Sequence, residues 1–441
     1  MQKVLKSLKN VNLRLFASLL VLGLCPTIYT TLRVFFIGQL PGEWSYSIAG
    51  QLSWVNLLYE VLSEAIILPL YFFIGQVKED KKEFTNRVKT GLLVSFGLYT
   101  VLSVVIVIFA EGLLRFMAAD ASIIEESAQY IRIESIANVC GLLFSFMLVV
   151  LVTLGKDKYV YILTGAKLVL CVLFDTFMTS TLPVSLNLGI NGIAYTNIIV
   201  NLLLFVVTFF LLYKEDVKIF SKDRLSFVWF KKFLKIGGIS GVESLVRNVA
   251  YMMMISRMVN MVGEQGTYWV ANNFIWGWLL LPVIQLGEVI KSEVGKDQES
   301  VRRNTLGYFG ITVATCLLWC ASIPVWKPFM KYVLGYSDVD KLFTLVMVLL
   351  GFYMLYALQN VFDSTFYGLG KTNYMLFESL VTNTVFYGGA FILYLTGAWT
   401  PSLIGIALLF GIGNVFDSIV SLAAYVYLLK KRKINLLLVE E

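Results

Sequence analysis

The sequence predicts an all-α polytopic membrane protein, with twelve transmembrane helices in two six-helix lobes related by a pseudo-two-fold axis along the membrane normal. Three observations predict this class. Hydrophobic residues make up 58% of the 441 residues and charged residues only 15%, which is too apolar a balance for a soluble globular protein. The apolar residues are gathered into long segments, and short motifs of the first half recur in the second.

Each apolar segment is long enough to cross a hydrocarbon layer about 30 Å thick, which takes about 20 helical residues. Backbone groups in lipid must be satisfied within their own segment, so runs of this length predict helices and not strands. We place the twelve spans at 13–39, 46–75, 90–110, 126–153, 159–181, 190–213, 234–261, 266–290, 305–326, 342–369, 374–396 and 402–429.

Three short motifs recur in the same order, at separations of 222, 215 and 213 positions: YSIAGQLSW at Tyr46–Trp54 with YWVANNFIW at Tyr268–Trp276, LGKDKY at Leu154–Tyr159 with LGKTNY at Leu369–Tyr374, and GIA at Gly192–Ala194 with GIA at Gly405–Ala407. A separation that drifts this slowly indicates an internal duplication. Six spans is an even number, so the two halves are expected to be parallel repeats with a cavity between them. The predicted lobes are 1–213 and 234–441, joined by a polar linker at 214–233.

The basic residues fall mainly on one side of the predicted topology, including Lys3, Lys6, Lys9 and Arg14 at the start of the chain and the run Lys430–Lys433 after the last span. Positive residues stay on the cytoplasmic side, which predicts that both termini are cytoplasmic in a multi-pass protein of the plasma (inner) membrane. The formal charge of +7 is then explained by topology, without a nucleic-acid partner. The first apolar run is long and lacks a small-residue cleavage site, so we interpret it as an uncleaved span.

Composition also excludes several chemistries. The chain has no histidine, which removes histidine-based catalysis, metal sites and proton relays. The five cysteines fall inside spans at spacings that indicate packing, with neither a disulfide framework nor a metal site: Cys25, Cys140, Cys171, Cys316 and Cys320. No catalytic motif is present, so the sequence predicts a protein that is not an enzyme and needs no cofactor beyond a coupling ion.

Ionisable residues inside the spans are costly in lipid and are expected to face the protein interior or water. The candidates for ion coupling or intramembrane charge are Asp175, Arg33, Glu243, Arg247, Asp417 and Asp363. The candidates for a substrate cavity, which combines charges, amides and flat aromatic surface, are Glu60, Glu64, Arg257, Asn272, Asn273, Trp276 and Trp278. For each of them the alternative is a polar group that only fixes helix packing.

Spacing refines these candidates. Glu60 and Glu64 lie one turn apart on the second span, and Glu243 and Arg247 form an i,i+4 acid and base on the seventh. Arg33 and Asp175 lie at similar depth, which makes them a candidate pair. Pro26 and Pro282 are expected to kink their helices, either as gating points or as static bends.

Several motifs carry a resemblance to a known family. The run LCVLFDTFM is followed by LNLGINGIAYTN, which sets Asp175 before Gly189, Gly192 and Ala194. FFIGQL closes the first span, and GLGKTNY follows the tenth. This order resembles the MATE (multidrug and toxic compound extrusion) transporters of the MOP flippase superfamily, and it covers nearly the whole chain.

The resemblance implies a secondary active exporter of small molecules that works by alternating access and is driven by sodium or proton entry. This sequence departs from the usual pattern of the family at two positions. Arg33 stands where the family usually has an aspartate, and Cys171 stands where it usually has an asparagine. We therefore hypothesise that Arg33 acts as a fixed positive charge in place of a bound cation, with coupling left to second-lobe acids such as Glu243 or Asp417. Because the predicted cavity contains three arginines, neutral or anionic substrates are as well supported by the sequence as cationic substrates.

The main alternative is a lipid-linked oligosaccharide flippase of the same superfamily, which would need more cationic residues for the pyrophosphate. A channel, a receptor and a membrane-embedded enzyme are weaker alternatives. We expect the partners to be a small-molecule substrate and the lipid bilayer, with no nucleic acid, and the protein to be a monomer.

Overall fold

The computed structural model describes residues 2–41, 44–217, 219 and 225–434. Among these residues all regular secondary structure is helical, which confirms the predicted class. The α-helices are α1 (Gln2–Asn10), α2 (Leu13–Gly38), α3 (Ser45–Leu62), α4 (Leu68–Gly75), α5 (Lys81–Phe116), α6 (Ile124–Thr153), α7 (Asp157–Met178), α8 (Asn191–Lys214), α9 (Phe230–Tyr251), α10 (Arg257–Met261), α11 (Gln265–Phe274), α12 (Leu281–Lys296), α13 (Ser300–Tyr332), α14 (Val339–Gly368), α15 (Thr372–Val381), α16 (Gly388–Leu395) and α17 (Leu403–Lys431).

Within the described residues, 10 helices are long and apolar enough to cross a membrane, or 11 if α11 and α12 form one bent span. The remaining predicted span, 234–261, coincides with the helical stretch from α9 to α10. Lysines at its start and the charged residues Glu243, Arg247 and Arg257 make this stretch less apolar than the others. Its charges therefore have to be compensated by other side chains or by water.

The predicted spans agree with the helices, and the largest differences lie at helix ends that carry charge. The third span was predicted at 90–110, whereas α5 covers Lys81–Phe116. Its first residues are helical because the carboxylate of Asp80 accepts hydrogen bonds from the backbone amides of Lys82 and Glu83. Hydropathy marks only the part of a helix that lies in hydrocarbon, so polar helical extensions are missed.

Four π-helical segments interrupt the long helices: Ser63–Ile67, Met252–Ser256, Ile275–Leu279 and Thr382–Tyr387. Two of them precede a proline. Pro69 lies in the first turn of α4 and Pro282 in the first turn of α12, where a missing backbone N–H costs no helical hydrogen bond. The axis bends by 51° between α11 and α12, so the kink predicted at Pro282 is present. Helix α2 continues through Pro26, and a gating role for either proline stays a prediction.

The repeated motifs adopt the same local structure. Gly155 and Gly370, the glycines of LGKDKY and LGKTNY, have φ of +73° and +65°, a left-handed conformation that favours glycine. The Gly155 amide donates to the Val152 carbonyl at 2.9 Å, and the Gly370 amide donates to the Tyr367 carbonyl at 3.0 Å. The following lysines also donate to equivalent carbonyls, so both turns end their helices in the same way. This correspondence supports the duplication read from the sequence.

Packing contacts divide the chain into two compact units, which we call unit A (Phe36–Gly266) and unit B (Met1–Phe35 with Thr267–Glu441). Most of α2 belongs to unit B, and α9 with α10 belongs to unit A. The packing units therefore differ from the sequence halves at the first and seventh spans. The lobe boundaries 1–213 and 234–441 stay a prediction about the repeat, and residues 218 and 220–224 of the predicted linker lie outside the described residues.

Helix α1 was not among the predicted elements, and it is fixed on α13 in unit B. The Ser7 hydroxyl donates to the Arg303 carbonyl at 2.8 Å and accepts from the Gly307 amide at 2.8 Å. It thereby bridges a carbonyl and an amide four residues apart in α13. A Cβ on Gly307 would lie 2.9 Å from the backbone of Ser7, so this close approach requires glycine.

Candidate functional site

Unit B contains a cluster of three carboxyl groups, carried by α14, α15 and α17, of which Glu378 is buried and Asp363 and Asp417 are half-buried. One side-chain amide links them. The Nε2 atom of Gln359 lies 3.2 Å from Oδ2 of Asp363, 2.7 Å from Oε1 of Glu378 and 2.7 Å from Oδ2 of Asp417. Gln359 is 2% exposed and Glu378 is 3% exposed. We call these four residues the acidic cluster.

Three hydroxyl groups surround the acidic cluster and donate hydrogen bonds to it. Thr382 donates to Oδ1 of Asp417 at 2.6 Å, and Ser421 donates to Oδ1 of Asp363 at 2.7 Å. Ser418 donates to Oε1 of Gln359 at 2.7 Å, which fixes the orientation of the amide and directs its nitrogen at the carboxyls. The π-helical segment Thr382–Tyr387 begins at the threonine of this shell. Such segments are frequent at functional sites.

The acidic cluster has more acceptors than donors. An amide nitrogen carries two hydrogens, yet the Gln359 nitrogen contacts three carboxyl oxygens. In addition, Oε2 of Glu378 is buried without a hydrogen-bond partner. In the part of the chain that the structure describes, no lysine or arginine forms an ion pair with these carboxyls. Three carboxyls held by one amide disfavour each other's charged form, so their charge has to be balanced.

The sequence marks Asp363 and Asp417 as separate candidates, and the structure brings them together. Glu378 is not among the predicted candidates, although it lies in the predicted span 374–396 and the same rule about charges in spans applies to it. Gln359 had no signal in the sequence, because a single neutral amide in a span indicates no particular role.

Unit A contains a second charged cluster, at the junction of α3, the following π-helical segment and α9. The guanidinium of Arg247 contacts Glu64 at 2.7 Å, Glu60 at 3.3 Å and Glu243 at 3.3 Å. The sequence predicted the two pairs Glu60 with Glu64 and Glu243 with Arg247, and the structure joins them. We call these four residues the Arg247 cluster.

Close backbone packing brings the two helices of the Arg247 cluster together. A Cβ on Gly241 would lie 2.7 Å from that of Ala65, and a Cβ on Gly237 would collide with the Ala65 carbonyl oxygen. Small residues at an interface let helices in a membrane approach closely. One guanidinium then faces three carboxylates, so the cluster retains negative charge. The Arg247 side chain is 37% exposed and that of Glu60 is 45% exposed, which leaves these charges accessible.

The remaining cavity candidates are distributed over both units. In unit A, Nε of Arg257 donates to the Phe116 carbonyl at 2.9 Å. In unit B, Nε1 of Trp278 donates to the Thr31 hydroxyl at 2.8 Å, and Nδ2 of Asn273 donates to the Trp269 carbonyl at 2.9 Å.

Trp276 packs its ring edge-on against two tyrosines of α14, Tyr353 and Tyr356. Asn272 lies in α11 beside Asn273. For Asn273, Trp276 and Trp278 these contacts fit a packing role, and their part in a substrate cavity stays a prediction.

The predicted pair of Arg33 and Asp175 is divided between the two units. Asp175 is 1% exposed on α7 in unit A, whereas Arg33 belongs to unit B, where its guanidinium lies 4.7 Å from the centre of the Tyr29 ring. Their pairing stays a prediction. A further charge within a span, Lys167 on α7, was not selected from the sequence and stacks on the Phe144 ring at 5.3 Å.

The glycines that follow Asp175 have distinct structural reasons. Gly189 has φ of +61° in the turn before α8. Gly192 lies against the end of α7, where a Cβ would lie 2.5 Å from the Thr179 hydroxyl and 2.8 Å from the Met178 carbonyl oxygen. This part of the sequence motif is therefore explained by backbone geometry between two helices.

Long apolar helices with carboxyl groups inside them define a polytopic membrane protein with charged residues in its spans. The family model for MatE matches residues 27–177 of the chain. A search of curated proteins found no match.

Among solved structures, the fold is that of the MATE transporters of the MOP superfamily. An inward-facing multidrug resistance MATE transporter superposes with a TM-score of 0.77 at 18% identity, covering 92% of this chain and 95% of that one. An outward-facing conformation of a multidrug resistance MATE transporter gives a TM-score of 0.70 at 17% identity, with 99% of each chain covered. A MOP superfamily transporter from Pyrococcus furiosus, described as having a binding pocket of reverse polarity, gives 0.69 at 18% identity, with 99% of each chain covered.

Proposed function

We propose that the protein is a secondary active exporter of small organic compounds that works by alternating access, coupled to the entry of sodium or protons. The observation that carries the proposal is the acidic cluster, in which one buried and two half-buried carboxyls share one amide and lack an ion-pair partner among the described residues. If these carboxyls served only to fix helix packing, a lysine or arginine side chain would be expected beside them to balance their charge. A site whose charge is balanced only when an ion arrives is what coupling requires, because occupancy then changes the electrostatic energy of the helices around it.

The fold supports the transport part of the proposal. Solved MATE transporters with this fold include both an inward-facing and an outward-facing conformation. A protein that exposes a site alternately to the two sides of a membrane can exchange an ion for a substrate. We place the protein in the plasma membrane with both termini cytoplasmic, on the distribution of its basic residues.

The Arg247 cluster bears on the charge of the substrate. Counting arginines in the sequence gave anionic and neutral compounds equal weight with cations, but Arg247 is surrounded by three carboxylates. An anion would meet net negative charge there, whereas a lipophilic cation or a neutral amine-bearing compound would be attracted. For the same reason the flippase alternative is not favoured, since a pyrophosphate needs uncompensated cations.

Transport into proteoliposomes tests the proposal. We would load vesicles containing the purified protein with a fluorescent lipophilic cation, or with an organic anion of similar size, and impose a sodium gradient or a pH gradient. We expect the cation to move against its own gradient when one of the two ions flows in the opposite direction. Glu378→Gln should abolish this uphill movement, while Asp340→Asn, which changes an exposed carboxylate paired with Lys327, should leave it intact. Movement that neither gradient drives would contradict the proposal.

A further inference from the structure

Helix α1 in unit B has two faces of different chemical character, and its contacts with α13 use only one of them. The Ser7 hydroxyl bridges the backbone of α13, as described above. A Cβ on Gly310 would lie 3.0 Å from Cγ1 of Val4 and 3.6 Å from Cδ1 of Leu8. Side chains three or four residues apart share one face of a helix, so Val4, Ser7 and Leu8 form the face that packs on α13.

The other face of α1, which we call the basic face, carries Lys3, Lys6 and Lys9. These lysines recur every three residues, and all three are exposed. Within the described residues, Lys6 and Lys9 form no ion pair. The chain has no acidic residue before Glu43, so no carboxylate nearby in the sequence offsets these charges. The basic face therefore presents ammonium groups to an anionic partner.

Two connections place α1 at the level where the neighbouring helices enter the membrane. Its contacts on α13 fall at residues 303–310, which overlap the start of the predicted span 305–326. Only Val11 and Asn12 separate α1 from α2, which forms the first predicted span. Leu5, one turn before the last lysine of α1, is 52% exposed. A helix that lies on a membrane carries this combination, because the leucine enters the apolar boundary while the lysines contact headgroups.

Hydrogen bonds fix the corner between α1 and α2. The Asn12 amide donates to Oε1 of Glu293 at 2.6 Å, and Oδ1 of Asn12 accepts from the Leu15 amide at 2.9 Å. The other oxygen of Glu293 accepts from Nδ2 of Asn304 at 2.7 Å and from the Tyr308 hydroxyl. One carboxylate thus ties the corner to α12 and α13. The basic face is held in one orientation, so a partner that binds it does not have to order a flexible tail.

We propose that α1 is a membrane-surface helix that binds the headgroups of anionic phospholipids through Lys3, Lys6 and Lys9. Phosphate oxygens accept charge-assisted hydrogen bonds from ammonium groups. The predicted cytoplasmic position of the N-terminus puts the basic face at the leaflet whose surface is negative. The exposed Leu5 favours a ligand with acyl chains over a soluble anion. The proposal does not depend on export, since lipid binding is measured without a transport substrate or an ion gradient.

Lipid binding to the full-length purified protein in micelles of a neutral detergent tests the proposal. Phosphatidylglycerol or phosphatidylcholine is added, native mass spectrometry counts the bound lipids, and thermal unfolding reports their effect on stability. We expect phosphatidylglycerol to bind more tightly than phosphatidylcholine and to raise the unfolding temperature. This preference should decrease at high salt, because ions screen exposed charges.

The double variant Lys6→Gln with Lys9→Gln removes two charges from the basic face. One lysine near an anionic surface strengthens binding by about fivefold, so the phosphatidylglycerol concentration that gives half of the thermal shift should rise by roughly 25-fold. Lys6→Arg with Lys9→Arg retains the charges and should behave as the wild type does. The matched control Lys81→Gln with Lys82→Gln removes two exposed lysines at the start of α5 in unit A, and it should also behave as the wild type does.

Three results would overturn the proposal. The first is equal stabilisation of the wild type and of the Lys6→Gln, Lys9→Gln variant by phosphatidylglycerol. The second is an equal loss in the Lys81→Gln, Lys82→Gln control, which would show a dependence on net charge alone. The third is stabilisation of the wild type by glycerol 3-phosphate, which lacks acyl chains, as strong as that by phosphatidylglycerol, because the basic face would then bind a soluble anion. None of these results changes the expected uphill transport, so the exporter proposal would stand.

Discussion

Gln359 is the residue on which the acidic cluster is built, because one neutral amide orders three carboxyls on three helices. Removing it would leave buried acceptors without their donor, and each lost hydrogen bond to a charged group costs about 1.5–3 kcal/mol.

We predict that Gln359→Leu lowers the unfolding temperature and abolishes coupled transport, whereas Gln359→Lys retains the fold but not coupling. A lysine supplies a permanent positive charge where an ion would otherwise come and go. Thermal unfolding and proteoliposome transport of both variants check this, with Gln298→Leu at an exposed glutamine as the control. If Gln359→Lys still transports substrate in exchange for an ion, coupled transport does not require the charge of the acidic cluster to change as an ion arrives and leaves.

Arg247 has the opposite role, since it supplies the only positive charge of its cluster. Arg247→Met leaves Glu60, Glu64 and Glu243 close together and uncompensated, and we predict a loss of about 1–3 kcal/mol in the free energy of unfolding. The double variant Arg247→Met with Glu64→Gln should recover part of that loss, because one repelling carboxylate is removed.

The coupling energy from this double-mutant cycle, measured by unfolding in detergent, decides between an energetic network and a set of independent contacts. Additive effects of the two substitutions would contradict the cluster as described.

At the scale of the helices, the sequence predicts the features that burial in hydrocarbon determines. It does not predict which side chains from different helices come into contact. The positions of the spans, the kink at Pro282 and the repeated turns at Gly155 and Gly370 all follow from local rules. The acidic cluster does not, because residues 359, 378 and 417 are brought together only by packing of three helices. Likewise, α1 is polar and short, so no hydropathy signal predicted it.

Gly192 shows how a motif residue acts through helix packing. We predict that Gly192→Ala lowers stability by about 1–3 kcal/mol, because the new Cβ would press against Thr179 and the Met178 carbonyl. Gly97→Ala in α5 is the matched control, since nothing packs within 4 Å of a Cβ added there, and it should leave the unfolding temperature unchanged or slightly higher. Equal unfolding temperatures of the two variants would mean that the end of α7 moves aside for the new Cβ at little cost in stability.

The contact between α1 and α13 is a second element-scale test. Gly307→Ala should displace α1, because its backbone lies 2.9 Å from the position of the new Cβ and because the Ser7 hydroxyl bridges α13 at this point. We predict faster tryptic cleavage after Lys3, Lys6 and Lys9 in this variant than in the wild type or in Gly351→Ala, where nothing lies within 4 Å. Unchanged cleavage would show that α1 remains docked without the bridge.

At the scale of the whole molecule, the two units carry different sets of charged residues inside their helices. The acidic cluster of unit B combines three carboxyls with an amide. The charged groups of unit A include the Arg247 cluster and the buried Asp175. A sequence shows that such residues lie in spans, but it cannot show which of them share a site, because that depends on helix rotation and on bends such as the 51° between α11 and α12.

We propose that an ion at the acidic cluster is exchanged for substrate. Its most direct test runs the exchange in reverse: a gradient of a lipophilic cation is imposed on proteoliposomes, and the movement of radioactive sodium and of protons in the opposite direction is recorded. We predict that the wild type moves one of these ions against its gradient and that Glu378→Gln moves neither while it remains folded. Substrate flux of equal size in both proteins, with no ion flux in either, would contradict the claim.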